Sequence, residues 1–148
     1  MIYDLHCHTT ASDGALSPEE LVRRATAKGV NVLAITDHDT TSGLQAATQA
    51  AAELELRLIS GIEFSSQWSG RSVHILGLNI DVDAVSVVNA ENQQCLRRDQ
   101  RAEKIAHRLE KQGFNNVWAS ARQYAGEGVI LSCVHMGGCR HSTTYQHR

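Results

Sequence analysis

No apolar run in this 148-residue chain approaches the roughly 18–20 residues that span a bilayer, which excludes a membrane-spanning helix. Basic residues are not in excess either. Fourteen Lys and Arg stand against 16 Asp and Glu, for a formal charge of −2, so a generally basic nucleic-acid clamp is excluded while a local positive groove is not. The opening Met1-Ile2-Tyr3-Asp4-Leu5-His6 has no basic region followed by an apolar stretch, the mark of an export signal. The four cysteines, Cys7, Cys95, Cys133 and Cys139, are scattered and read as free thiols rather than a disulfide framework. A cytoplasmic chain with no membrane and no stable protein partner is the expectation. Pro18 is the only proline. What the sequence does have is histidine, eight of them, in a length that predicts one domain with a real core.

Ile2–His8 reads as a short strand. Ser17-Pro18-Glu19-Glu20 then opens a helix, with Ser17 as N-cap, Pro18 at the first helical position and Glu20 placed for a capping box. Leu21, Val22 and Ala25 give that helix an inner side, and Gly29 ends it. Val30–Ile35 is a β-branched apolar run of strand length. A second helix is expected from about Gly43 to Leu56, a third strand over Leu56–Phe64 and a fourth over Ser72–Ile80. This alternation predicts an α/β fold with parallel strands and right-handed crossovers. Val85–Gln112 then reads as a long helix with Val85, Val88, Cys95, Ala102, Ile105, Ala106 and Leu109 near one face, and Val117–Tyr124 as a shorter one. The other face of the long helix carries Arg97, Arg98, Asp99, Arg101, Glu103 and Lys104, which reads mainly as a solvated, salt-bridged surface together with Glu91. His107 falls on the charged face and is expected in solvent; His147 belongs to a polar tail.

The chemistry gathers at strand ends. His6 and His8, two apart on a strand, project from one face together with Asp4, and paired neutral imidazoles suit a divalent metal. Asp13-Gly14 follows in the next loop. The second strand ends in Thr36-Asp37-His38-Asp39-Thr40, where α/β folds place ligands; an Asx-rich turn would account for Asp39 or Thr41 but does not require His38. Residues 67–71 are too few for a helical crossover, so strands three and four are expected as a hairpin. Centred between Trp68 and Ser69, it sets Glu63 directly opposite His74, about 4.5–5.5 Å apart at Cβ. Arg71 on the turn is then a candidate for substrate phosphate, as is Arg101 on the long helix. His6, His8, Asp13, His38, Glu63 and His74 thus reach what could be one rim. Imidazole and carboxylate without thiolate suit Mn²⁺, Zn²⁺ or Fe²⁺. Six candidates exceed one tetrahedral site, so two or three ions are expected, activating water for a hydrolase.

Asp4-Leu5-His6-Cys7-His8-Thr9, Ser12-Asp13-Gly14, Thr36-Asp37-His38-Asp39, Gly61-Ile62-Glu63 and Val73-His74-Ile75-Leu76-Gly77 closely resemble, in order and spacing, the PHP (polymerase and histidinol phosphatase) superfamily. The likeness is to its TrpH-like, ribonuclease AM-like group, over about residues 1–80. The resemblance implies the amino-terminal part of a distorted (β/α)₇ barrel with a trinuclear metal site and a helical insertion matching residues 82–125. It implies phosphoester hydrolysis, either 3′-phosphate removal from nucleoside 3′,5′-bisphosphates or 5′-to-3′ trimming of short single-stranded RNA, by in-line attack of an activated hydroxide on phosphorus. By the family pattern His6, His8 and Glu63, the catalytic centre, hold one metal. Glu63 and His74 share a second, and Asp13 and His38 serve a third. Asp4 and Asp37 resemble carboxylates that orient the imidazoles from behind.

The family continues past Gly-Val-Ile with Arg-Pro-His, whereas this chain reads Leu131-Ser132-Cys133-Val134-His135. One codon choice for Cys133-Val134-His135-Met136, TGC GTC CAC ATG, encodes Arg-Pro-His when read two bases on. Residues 1–130 are therefore expected to be partial family domain, and 131–148 a tail coded by a frameshift, leaving a catalytically impaired fragment as one alternative. The tail offers another, since Cys133-x-His135 and Cys139-x-His141 supply four tetrahedral zinc ligands for an interaction module. A second enzyme class, an amidohydrolase-like metal hydrolase, would also use His-x-His on its first strand but needs a carboxylated lysine, for which the sequence offers no obvious candidate.

Overall fold

The computed structural model describes residues 1–125. Its elements run β1 (Tyr3–Cys7), α1 (Pro18–Ala27), β2 (Val32–Ile35), α2 (Leu44–Glu53), β3 (Arg57–Trp68), β4 (Arg71–Leu78), α3 (Val85–Glu110) and α4 (Val117–Ala125). The chain divides into two compact units, with the boundary between Arg97 and Arg98 inside α3. The first unit holds a four-stranded sheet in the order β1-β2-β3-β4. β1 to β2 and β2 to β3 are parallel, and β3 to β4 is antiparallel. The expected α/β alternation is the one observed.

Local sequence accounts for these elements. Ser17 Oγ accepts from the Glu20 amide at 3.2 Å while the Ser17 amide donates to Glu20 Oε2 at 2.9 Å, a complete capping box. Gly29, at φ 78°, closes the helix in the left-handed region that a Cβ disfavours. β2 is buried at all four positions, as a central parallel strand should be. Leu33 and Ile35 face α1 through Val22 and Ala25, and α2 through Leu44, Ala47, Ala50 and Ala51; the alanines let the helices close on the sheet. Glu55, at φ 53°, turns the chain out of α2, which ends at Glu53, short of the expected Leu56.

Two expectations are corrected. The β3–β4 turn comprises only Ser69 and Gly70, both at positive φ (48° and 76°), as the two-residue loops that match strand twist require. Strand β3 therefore runs on to Trp68, and Glu63 pairs with Leu76 while His74 pairs with Ser65. The register differs by two residues from the expected one, which preserves the face: Glu63 and His74 still point the same way, as diagonal neighbours. The apolar row of α3 is also not a buried face, since Val85 and Val88 are exposed at 75% and 41%, Cys95 is exposed, and only Ala106 of the helix is buried. Among the described residues the row is covered only at Ala106 and, in part, at Ala102 and Leu109. His107 is exposed, as its charged face suggests. No helix of the described residues is long and apolar enough to cross a membrane.

Candidate metal centre

The centre forms where β1 and β2 end beside the middle of β3. The β1–β2 register breaks between Asp4 and Cys7, a bulge that lies where His6 and His8 leave the strand. The loop behind them curls back, with the Gly14 amide bonded to Thr9 O at 2.8 Å and Thr10 N to Leu16 O at 2.9 Å. Gly14 passes so close to the strand end that a Cβ there would lie 2.2 Å from the His8 carbonyl oxygen. This return carries Asp13 to the rim. Beyond β2, His38 bridges to Glu63: Glu63 N donates to Asp37 O at 3.1 Å, and Asp39 N to Glu63 O at 3.0 Å.

Glu63, only 6% exposed, is the hub. Its Oε2 lies 2.8 Å from His6 Nε2, 3.1 Å from His8 Nε2 and 3.8 Å from His38 Nδ1, and its Oε1 lies 2.7 Å from His74 Nδ1. Asp13 closes the other side, 3.4 Å from His8 Nδ1 and 3.7 Å from His38 Nε2. Consecutive rings sit 5.1 Å (His6–His8), 4.6 Å (His8–His38) and 4.9 Å (His38–His74) apart. The structure thus brings all six expected ligands together in three overlapping sets: His6–His8–Glu63, His8–Asp13–His38 and His38–Glu63–His74, the ligand atoms of each lying within 4.8 Å of one another.

Two observations favour a cation within this cluster. Nδ1 of His8 and Nδ1 of His38 are buried without any hydrogen-bond partner, an arrangement that costs free energy unless something else engages the lone pair. The charge states also fit. Burial lowers the pKa of His38, against the pull of Glu63 and Asp13, and so favours the neutral, ligating ring. At Glu63 burial opposes the charge, but hydrogen bonds from His6 and His74 and the nearby His38 hold the carboxyl below its usual range. An anionic carboxylate ringed by imidazoles, with no thiolate, is a donor set that suits a divalent metal ion.

The supporting residues differ in part from expectation. Asp37, 1% exposed, does not meet an imidazole; it accepts from Thr9 N (2.6 Å), Thr9 Oγ1 (2.7 Å) and Ser12 Oγ (2.5 Å), fastening the loop that bears Asp13. Asp4 sits beside the Cys7 thiol, whose pKa is pushed up to about 12 by burial and then by that carboxylate; no hydrogen bond joins Asp4 to a ring among the described residues. Asp39, expected to do no more than shape a turn, is 3% exposed, adopts φ 55°, and accepts from Ser65 N at 2.7 Å and from Gln94 Nε2 at 3.2 Å. Gln94 also donates to Ser65 O, and Glu91 accepts from Thr41 N rather than lying on a solvated face, so the first turns of α3 clasp the rim. The second carboxylate in Thr36-Asp37-His38-Asp39-Thr40 is the signal in the sequence that could have found this role. Arg71 pairs with Trp68 on the face of the hairpin opposite to Glu63 and His74, so the register does not bring it to the cluster. Arg101 lies exposed on α3 in the second unit. The tail ligands Cys133, His135, Cys139 and His141, and His147, lie outside the described residues.

Comparison with known proteins adds to the geometry. The PHP domain family model matches residues 4–142. A 5′-3′ exoribonuclease of Haemophilus influenzae is 50% identical over 123 residues, covering 83% of this chain and 45% of that protein. The 5′-3′ exoribonuclease Rnm of Escherichia coli is 46% identical over 132 residues (88% and 45%). A 3′,5′-nucleoside bisphosphate phosphatase of Chromobacterium violaceum is 36% identical over 132 residues (89% and 46%). Two solved structures superpose closely. One, from Chromobacterium violaceum and described as an amidohydrolase, has a TM-score of 0.78 at 35% identity; the other, from Bifidobacterium adolescentis and described as a metal-dependent phosphoesterase, has 0.77 at 32%. They cover 88% and 86% of this chain and 46% of each structure, so the four strands correspond to half of a barrel. The chain spans about half the length of the curated relatives it matches.

Proposed function

Since this chain belongs to the PHP domain family of metal-dependent phosphoesterases, we propose that it carries the amino-terminal share of a site that hydrolyses phosphate esters of nucleotides or short RNA. The observation that carries the reading is the convergence of four imidazoles and Asp13 around the single buried carboxylate of Glu63. His6, His8 and Glu63 would hold one divalent ion, His38, Glu63 and His74 a second, and His8, Asp13 and His38 a third. Such ions, when bound, lower the pKa of a water and neutralise phosphoryl oxygens.

The protein's own groups prepare that chemistry. Neutral His38 presents a lone pair without first losing a proton. Glu63 keeps its charge because His6 and His74 donate to it, and both sets that need it share one anchored group. Asp37 holds the Thr9–Ser12 loop against β2, which fixes Asp13, while Asp39 ties the segments after His38 and Glu63 to each other through Ser65. The substrate reading follows the relatives: 3′-phosphate removal from a nucleoside 3′,5′-bisphosphate, 5′-to-3′ trimming of short single-stranded RNA, or both. The hairpin set around Glu63 and His74 favours phosphoester over C–N hydrolysis.

The test is Mn²⁺-dependent phosphate release from a nucleoside 3′,5′-bisphosphate by the 148-residue chain beside His8→Ala. Release that disappears in His8→Ala supports the reading. Soluble, folded chain that releases none assigns the turnover to residues this chain does not contain, and refutes activity for it.

A further inference from the structure

The second unit carries a charge pattern that the metal centre does not use. Arg101, Lys104 and Arg108 on α3, and Lys111 just past its end with its amide still bonded to His107 O at 3.2 Å, recur at spacings of three, four and three, which at about 100° per residue sets all four within one narrow stripe. At a rise of about 1.5 Å per residue the stripe is about 15 Å long. All four side chains are exposed, and among the described residues none is engaged in an ion pair. Of the nearby acids, Asp99 bonds Arg122 at 2.7 Å, and Glu103 and Glu110 lie more than about 100° around the axis from the centre of the row. Lys104, Arg108 and Lys111 border an open groove of about 710 Å³ that Trp118 also lines, with Glu103 and Glu110 on its remaining wall. The Arg122 guanidinium stands 5.1 Å over the Trp118 ring.

From this we propose that the Arg101–Lys104–Arg108–Lys111 row is a track for the phosphate backbone of single-stranded RNA, with Trp118 beside it as a stacking surface for a base. Four like charges in one line, with no ion-pair partner among the described residues, repel each other and are stabilised by a linear polyanion, and single-strand binders pair such a line with an aromatic face. The identity of the polyanion rests on the RNA arm of the function proposed above; the track itself does not depend on the metal cluster.

Binding of a fluorescently labelled single-stranded RNA oligonucleotide to the 148-residue chain, followed by anisotropy at several salt concentrations, tests it. The comparison is with Arg101→Glu/Lys104→Glu/Arg108→Glu and with the neutral set Arg101→Gln/Lys104→Gln/Arg108→Gln, whose helix propensity matches the parent. The reversal is expected to weaken binding at least tenfold at low salt. The salt slope should become shallower by about 2, at roughly 0.7 for each phosphate that is no longer neutralised, and the glutamine set should fall between. Zinc binding by all three proteins, measured alongside, should stay equal, which separates this proposal from the metal centre. Equal RNA affinity of parent and reversal, or no RNA binding by the parent, overturns the track. Poly-glutamate bound as tightly as RNA assigns the row to an acidic protein surface and also overturns it.

Discussion

Replacing Asp37 with alanine removes the acceptor of three hydrogen bonds at once, from Thr9 N, Thr9 Oγ1 and Ser12 Oγ. The carboxylate is 1% exposed, so water does not take over its role. Bonds to a charged group contribute about 1.5–3 kcal/mol each and are less than additive inside one network. Asp37→Ala should therefore cost about 4 kcal/mol, a large part of a typical domain's roughly 5–15 kcal/mol. Asp37→Asn is a sharper probe. It can keep an oxygen where Oδ1 receives Thr9 N and Ser12 Oγ, and set its NH₂ against Thr9 Oγ1, whose hydroxyl can rotate to accept. Only the charge assistance is then lost, at about 1.5 kcal/mol. Urea unfolding of the full chain followed by circular dichroism, compared by midpoint at constant slope, reads the difference. Alanine and asparagine variants with the same midpoint, or an alanine variant within about 0.5 kcal/mol of the parent, would refute the role assigned to Asp37.

The metal-free protein should lose stability on acidification. The folded-state pKa values of both His38 and Glu63 are lowered, so the unfolded chain binds more protons; the His38 contribution fades as pH falls below its ordinary 6.5 and that of Glu63 below 4.5. Thermal unfolding in chelator from pH 8 to pH 3 should show Tm falling in both windows, and a Tm that rises between pH 7 and pH 5.5 would contradict it. Gly14→Ala should cost about 3 kcal/mol or more and displace His8, since the new Cβ would meet only backbone, 2.2 Å from His8 O and 2.6 Å from Thr9 N. A variant with parental Tm and parental metal affinity would show that the loop does not fix the strand end.

Whether a feature is legible in the sequence depends on how local it is. The capping box of Ser17 and Glu20, the stop at Gly29 and the buried run of β2 are set by neighbours in sequence, and they appear as expected. The clustered ligands His6, His8, His38, Glu63 and His74 are legible too, because strand alternation fixes their faces and parallel order lays the ends of β1 and β2 beside the middle of β3. The hairpin register is not, because it turns on whether the loop contains two residues or more, and Ser69 adopting a positive φ leaves no mark in the sequence. The expected and observed pairings differ by an even number, so Glu63 and His74 stay on one face while Arg71 falls on the other. The roles of Asp4, Asp37 and Asp39 depend on which donors the loops deliver: Thr9 and Ser12 to Asp37, Ser65 and Gln94 to Asp39. Sequence spacing does not determine those partners. The apolar row of α3 promises a buried face that the described residues provide only around Ala106.

The most direct test of the central claim is a count of bound metal. The 148-residue chain, stripped with chelator, equilibrated with Mn²⁺ or Zn²⁺ and freed of excess, would be analysed by inductively coupled plasma mass spectrometry beside Glu63→Gln. Two of the three ligand sets share Glu63, so the parent should retain two or more ions and the variant at least one fewer, with its circular dichroism spectrum unchanged. A parent that retains no metal, or a variant that retains as much as the parent, would contradict the account.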